Sequence, residues 1–100
     1  MSADVESVAV SVVVHGRVQG VGYRAWFQRN ALALDLRGWV RNRGDGTVEA
    51  ELHGARDAVF DMISRATRGP PAARVERVAH APVAPSGAPP PGAFIVRPGG

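Results

Sequence analysis

The order of apolar periods along this chain predicts an α+β fold, with an antiparallel sheet of four or five strands and two helices on one of its faces. Three observations carry that prediction. The apolar spacing changes from every second residue to every third or fourth and back again, and it does so twice. One segment alternates apolar with charged residues, so one face of the sheet stays wet. Glycine and proline clusters fall where the period changes.

Residues 1–6 read as a loose tail. Val8 to Val14 is a run of small and β-branched residues, with Val8, Val10, Val12 and Val14 on one strand face. Three glycines between Gly16 and Gly22 end it. From Gly22 to about Leu34, Tyr23, Phe27, Ala31 and Leu34 form one helical stripe. Arg37 to Asn42 is a short strand, and Arg43-Gly44-Asp45-Gly46 is a hairpin turn signal. Thr47 to His53 is the alternating segment: Val48, Ala50 and Leu52 point one way, Thr47, Glu49 and Glu51 the other.

Gly54 to Arg68 is the second helix, with Ala55, Val59, Met62, Ile63 and Ala66 as its apolar stripe. Gly69-Pro70-Pro71 stops it. Arg74 to about Val83 forms a strand. The segment 84–92, rich in proline and glycine, is a loop, and Ala93 to Arg97 offers a short fifth strand before Pro98. The order β-α-β-β-α-β, with both helices covering one sheet face, is the ferredoxin-like arrangement.

A length of 100 residues predicts a single domain over 1–100. Apolar residues make up 45% and charged residues 21%, the balance of a folded domain rather than a disordered chain. No apolar run can span a bilayer. The polar, acidic start Met-Ser-Ala-Asp-Val-Glu is not a secretory signal. Without cysteine there is no disulfide, thiol nucleophile or thiolate metal site. A cytoplasmic location is expected. All basic residues are arginine, and the net charge of +3 is spread along the chain. That argues against a nucleic-acid partner and leaves room for a small anion.

Gly16-Arg17-Val18-Gln19-Gly20-Val21-Gly22-Tyr23-Arg24 lies between a strand and a helix. Such a loop can turn several backbone N–H groups toward one point, with the positive end of the helix behind them. Arg24, in the first helical turn, adds a fork of donors that can take two phosphate oxygens. The spacing is neither a Walker loop nor a dinucleotide fingerprint, so no nucleotide is implied. On spacing alone, a tight glycine turn followed by an exposed arginine is the favoured reading, because glycine loops between a strand and a helix are common. Asn42 is open in the same way, because an asparagine ahead of such a turn can simply cap it.

The nine residues from Gly16 to Arg24 resemble the acylphosphatase signature over their whole length. A second motif of that family follows in order: Gly38-Trp39-Val40-Arg41-Asn42, then Asp45-Gly46 and Val48. The family pattern covers residues 8 to 83, and Phe94-Ile95-Val96-Arg97 resembles its closing strand.

The resemblance implies an enzyme that hydrolyses the carboxyl-phosphate bond of a small acyl phosphate. It implies that Arg24 binds the phosphate and that Asn42 holds the attacking water. The backbone amides of Arg17, Val18, Gln19, Gly20, Val21, Gly22 and Tyr23 would form the cradle. No cofactor and no metal are implied. Acetyl, carbamoyl and bisphosphoglycerate-type substrates all present the same phosphoryl end, and inorganic phosphate is the expected product inhibitor. A monomer with no membrane partner is expected.

Other residues are read as structural. His15, His53 and His80 have no metal-ligand spacing, though His15 adjoins the loop. Trp26 and Trp39 read as packing, Arg41 and Arg43 as exposed. Two other functions compete. A ferredoxin-like RNA-binding module would need aromatics on the central strands. Val8–Val14 and Thr47–His53 have none, and Glu49 and Glu51 would repel phosphates. A carbamoyl-phosphate-handling domain of a larger maturation protein would be followed by zinc-finger cysteines, so a stand-alone enzyme is expected.

Overall fold

The computed structural model describes residues 6–85 and 87–98. Its elements are β1 (Ser7–Arg17), α1 (Tyr23–Ala33), β2 (Arg37–Asn42), β3 (Val48–Ala55), α2 (Arg56–Ala66), β4 (Arg74–Pro82) and β5 (Phe94–Val96). They form one five-stranded sheet in the order β4-β1-β3-β2-β5. The α+β, ferredoxin-like architecture is as the apolar periods predict. The sheet is mixed rather than wholly antiparallel, because β5 runs parallel to β2. The loop of residues 84–92 is long enough to carry the chain across before it re-enters the sheet. Of the tail expected over 1–6, only Glu6 lies within the described residues.

Alternation decides which side of each strand is buried. Val10, Val12 and Val14 of β1, Val48, Ala50 and Leu52 of β3, and Val40 of β2 all face the helices and are buried. α1 contributes Tyr23, Phe27 and Ala31 to that core, and α2 contributes Val59, Met62, Ile63 and Ala66. α1 lies over β2 and β5, and α2 over β1 and β3. Among the described residues, no helix is long and apolar enough to cross a membrane.

Two boundaries differ from the sequence expectation. β1 runs on to Arg17 instead of ending at Val14, because Gly16 and Arg17 pair with Val75 and Arg74 of β4 across a bulge. Gly54 and Ala55 belong to β3 rather than to the second helix, since they pair with Val8 and Ser7 of β1. The helix starts at Arg56, two residues later than expected, where Arg56 N–H donates to the Glu6 carbonyl at 2.9 Å.

The fifth strand is short, yet it is tied in at several points. Gly38 N–H donates to Ala93 C=O at 3.2 Å, and Arg97 N–H donates to Val40 C=O at 2.8 Å. Gln28 Nε2, from α1, donates to Phe94 C=O at 2.7 Å. Phe94 itself is buried, with its ring 5.9 Å from that of Phe27. Burial of one aromatic side chain therefore anchors a three-residue strand. Phe94→Ala should cost about 3–5 kcal/mol, the usual range for deleting a buried ring. Urea unfolding checks this, and an unchanged midpoint would show that β5 is not anchored there.

Candidate active site

β1, the loop after it and α1 place the expected residues at one end of the sheet. A pocket of about 230 Å³ opens there, lined by Val18, Gly20, Gly22, Tyr23, Arg24, Ala25, Asn42 and Val96. Arg24 and Asn42 are distant in sequence but line the same space.

Strand parity explains the approach of Asn42. On β2, Trp39 and Arg41 point to the outer sheet face, so Val40 and Asn42 point to the helix side. Asn42 is the last residue of β2, and beyond it lies the open end of α1 rather than core. Its Oδ1 is buried and has no hydrogen-bond partner. The turn-cap alternative is removed, because Asp45 orders the turn instead. Asp45 Oδ1 accepts from Thr47 N–H at 3.0 Å and from Thr47 Oγ1 at 2.6 Å. Those two bonds, with Arg43 as a minor contributor, hold the Asp45 carboxyl below its usual range.

The loop is shorter than expected, because Gly16 and Arg17 belong to β1. Gly16 serves the sheet rather than a ligand: at φ +126°, a Cβ there would sit 2.2 Å from the Arg74 carbonyl of β4. Gly22 is the residue that opens the site. It takes the left-handed conformation (φ 77°, ψ 18°) at the N-cap of α1, and no side chain caps the helix. Trp26 N–H bonds the Gly22 carbonyl at 3.1 Å. Among the described residues, the amides of Val18 to Ala25 donate to no backbone carbonyl outside the regular ladders. No acidic residue stands in the first turn of α1. Unpaired donors and a bare positive helix end favour an anion.

Arg24 has a support that the sequence does not advertise. Its Nη1 donates to the Arg97 carbonyl at 2.9 Å, just past the end of β5. One donor is thereby used to aim the guanidinium, and the others remain for a ligand. Val96 and Ala25 complete the pocket as small apolar walls. Sequence reasoning missed both. The only signal was the alternation in Phe94-Ile95-Val96, which follows a long loop. Tyr23 contributes to the lining, but its phenol turns away and donates to the Ala66 carbonyl at 2.7 Å.

The remaining candidates lie elsewhere. His53 is buried and bonded to Glu51 Oε1 at 2.8 Å. His15 meets Arg77 at 3.1 Å, and His80 stands edge-on to Phe60. Trp26 packs beside Tyr23, with ring centroids 5.4 Å apart. Trp39 lies on the outer sheet face beneath the Arg97 and Arg41 guanidinium groups, at 4.4 and 5.7 Å.

The family model described as acylphosphatase matches residues 10–88. The chain belongs to the acylphosphatase family. An acylphosphatase of Nitrobacter hamburgensis is 53% identical over 79 residues, covering 79% of this chain and 80% of that one. The acylphosphatase structure from Coxiella burnetii superposes with a TM-score of 0.84 at 31% identity, covering 95% of this chain and 99% of that one. The structure of HypF from T. kodakarensis contains a similar unit. It is 32% identical with a TM-score of 0.77, and covers 90% of this chain but 12% of that one. This acylphosphatase is therefore a hydrolase built on the fold of its family.

Burial pushes the Tyr23 phenol well above its ordinary value of 10.0. The folded state therefore keeps the proton while the unfolded chain loses it near pH 10. The stabilisation is fully present below that pH and is lost as the pH rises, by up to about 1.4 kcal/mol per unit. Tyr23 is the only tyrosine, so phenolate absorbance should appear only together with unfolding. Phenolate formation in the still-folded protein would contradict the burial. Tyr23→Phe should remove the alkaline slope.

Proposed function

We propose that this acylphosphatase hydrolyses small acyl phosphates through water held by Asn42, with the phosphoryl group bound by Arg24 and the loop amides from Val18 to Tyr23, Arg17 having been drawn into β1. The observation that carries the reading is the convergence of open amides, one guanidinium and one unpartnered amide oxygen on a single pocket.

The chemistry needs little more. The leaving group is a carboxylate with a pKa of about 4–5, which departs as an anion without a proton. The amides and Arg24 oppose the charge on the phosphoryl oxygens, and Asn42 orients the water in line with the leaving oxygen. The water oxygen forms the new bond to phosphorus as the bond to the acyl oxygen breaks. The carboxylate leaves with the bonding pair, and the water proton passes to a phosphoryl oxygen. Every lining side chain named above is neutral or cationic, so no fixed carboxylate repels the phosphate.

The reading extends to acetyl, carbamoyl and bisphosphoglycerate-type substrates, which share the phosphoryl end. Inorganic phosphate leaves the same cradle and should compete for it. The enzyme is taken to be a single-unit monomer acting in the cytoplasm, in keeping with its lack of cysteine.

Arg24→Ala should weaken inhibition by phosphate and lower turnover by at least ~10²-fold, the typical cost of losing a key electrostatic donor. Benzoyl phosphate hydrolysis, with a phosphate monoester as control, measures it, and near-normal rates would remove Arg24 from the site. Asn42→Ala should lose turnover by a similar factor while keeping phosphate inhibition, because Asn42 acts on water. A parallel collapse of phosphate affinity would assign Asn42 to binding instead.

A further inference from the structure

Gln19 sits in the loop between the buried Val18 and the exposed Gly20, and it is not among the residues that line the pocket. Nε2 donates to the Arg43 carbonyl at 2.8 Å and to the Thr47 carbonyl at 2.9 Å. A primary amide nitrogen carries two hydrogens, and these two acceptors use both. Backbone carbonyls cannot donate, so only the nitrogen of the amide can face them. The orientation of Gln19 follows from its partners.

Those two carbonyls bracket the turn that follows Asn42. Arg43 N–H donates to Thr47 C=O at 2.8 Å, and Gly46 N–H donates to Arg43 C=O at 3.2 Å. The Thr47 carbonyl thus receives a bond from the turn and another from Gln19. Asn42 precedes Arg43 directly, and no hydrogen bond reaches its buried Oδ1. The place of that side chain is therefore set through its backbone, by β2 on one side and the clamped turn on the other.

We infer that Gln19 is a positioning residue that holds the Asn42-bearing turn at a fixed distance from the phosphate-binding loop. The inference rests on the proposed role of Asn42 in holding the attacking water. The Gln19 side chain touches no reacting atom; only its backbone amide faces the phosphate. Its two hydrogen bonds span the loop and the turn, so the group that binds phosphate and the group that orients water move as one body. A misplacement of about 1 Å in such a pair can cost on the order of 10²-fold in rate.

Steady-state kinetics on benzoyl phosphate, with inorganic phosphate as inhibitor, test this in three variants. Gln19→Ala should lower kcat about 10- to 100-fold and leave the phosphate inhibition constant within about threefold. An unchanged kcat would overturn the inference. So would an inhibition constant that worsens as much as kcat falls, because that marks simple collapse of the loop. Gln19→Glu supplies the readout that a structural role would not move. Its carboxylate would oppose two carbonyl oxygens, whereas the protonated carboxyl can donate to one of them.

Gln19→Glu should therefore regain activity as the pH falls toward the carboxyl range, while the parent and Gln19→Ala show no such rise. The charged groups of the facing turn are Arg43 and Asp45. Arg43 brings no carboxyl, and Asp45 is held below its usual range by Thr47, so neither supplies that limb. A flat pH profile in Gln19→Glu would overturn the inference. In an Asn42→Ala background, Gln19→Ala should add less than about threefold, because coupled positions are not additive. Full additivity there would show that Gln19 does not work through Asn42. Normal turnover of Asn42→Ala alone would instead defeat the water-holding role, a distinct failure.

Discussion

The first turn of a helix leaves amide donors with no partner inside the helix, and the site is built on that constraint. Most helices satisfy such donors with a side-chain cap or with water. In α1 the N-cap is Gly22, which has no side chain to offer, and the preceding residues belong to an irregular loop. The open donors and the helix dipole are thus presented to one pocket together. The sheet behind them cannot relax to cover them, since β1 is paired on both sides from Val10 to Val14 and with β4 up to Arg17 at the loop.

A bare helix end is only an anion site. Selectivity for a reaction requires other groups at fixed positions around it, and each arrives from a different part of the chain. The alternation of β2 brings Asn42 to the helix side at the strand end. The parallel fifth strand brings the Arg97 carbonyl to Arg24 and Val96 to the wall. Gln19 reaches outward to the turn after Asn42. The Arg24 and Gln19 connections are hydrogen bonds to backbone carbonyls, whose places are set by the sheet and its turn rather than by flexible side chains.

The elements were legible because local and tertiary preferences agree. Valines at alternate positions in β1 and the Tyr23, Phe27, Ala31 stripe in α1 each have a single periodic reading. The boundaries that shifted are places where pairing overrides a local signal. Gly16 reads as a loop residue because glycine breaks strands, yet its partner across the bulge is Val75 of β4. Gly54 and Ala55 read as a helix start, yet β1 pairs with both. The choice of Arg24 and Asn42 as site candidates came from motif resemblance, and strand parity puts Asn42 on the helix side of the sheet. The Arg97 contact was illegible in principle. It involves a main-chain carbonyl, which every residue has, and it depends on the parallel return of a strand after a long loop.

The economy of the site follows from the leaving group. A phosphate monoester must expel an alkoxide, which calls for a proton donor or an equivalent charge. An acyl phosphate expels a carboxylate that is already stable in water. Catalysis is then left with holding charge and fixing geometry, and backbone amides do both without titrating. An acidic side chain in the pocket would repel the phosphate before it could help. The absence of a carboxylate from the lining named above is in that sense part of the proposed mechanism. On that proposal the pocket suits substrates whose leaving group needs no help, which is the chemical boundary between acyl phosphates and ordinary phosphate esters.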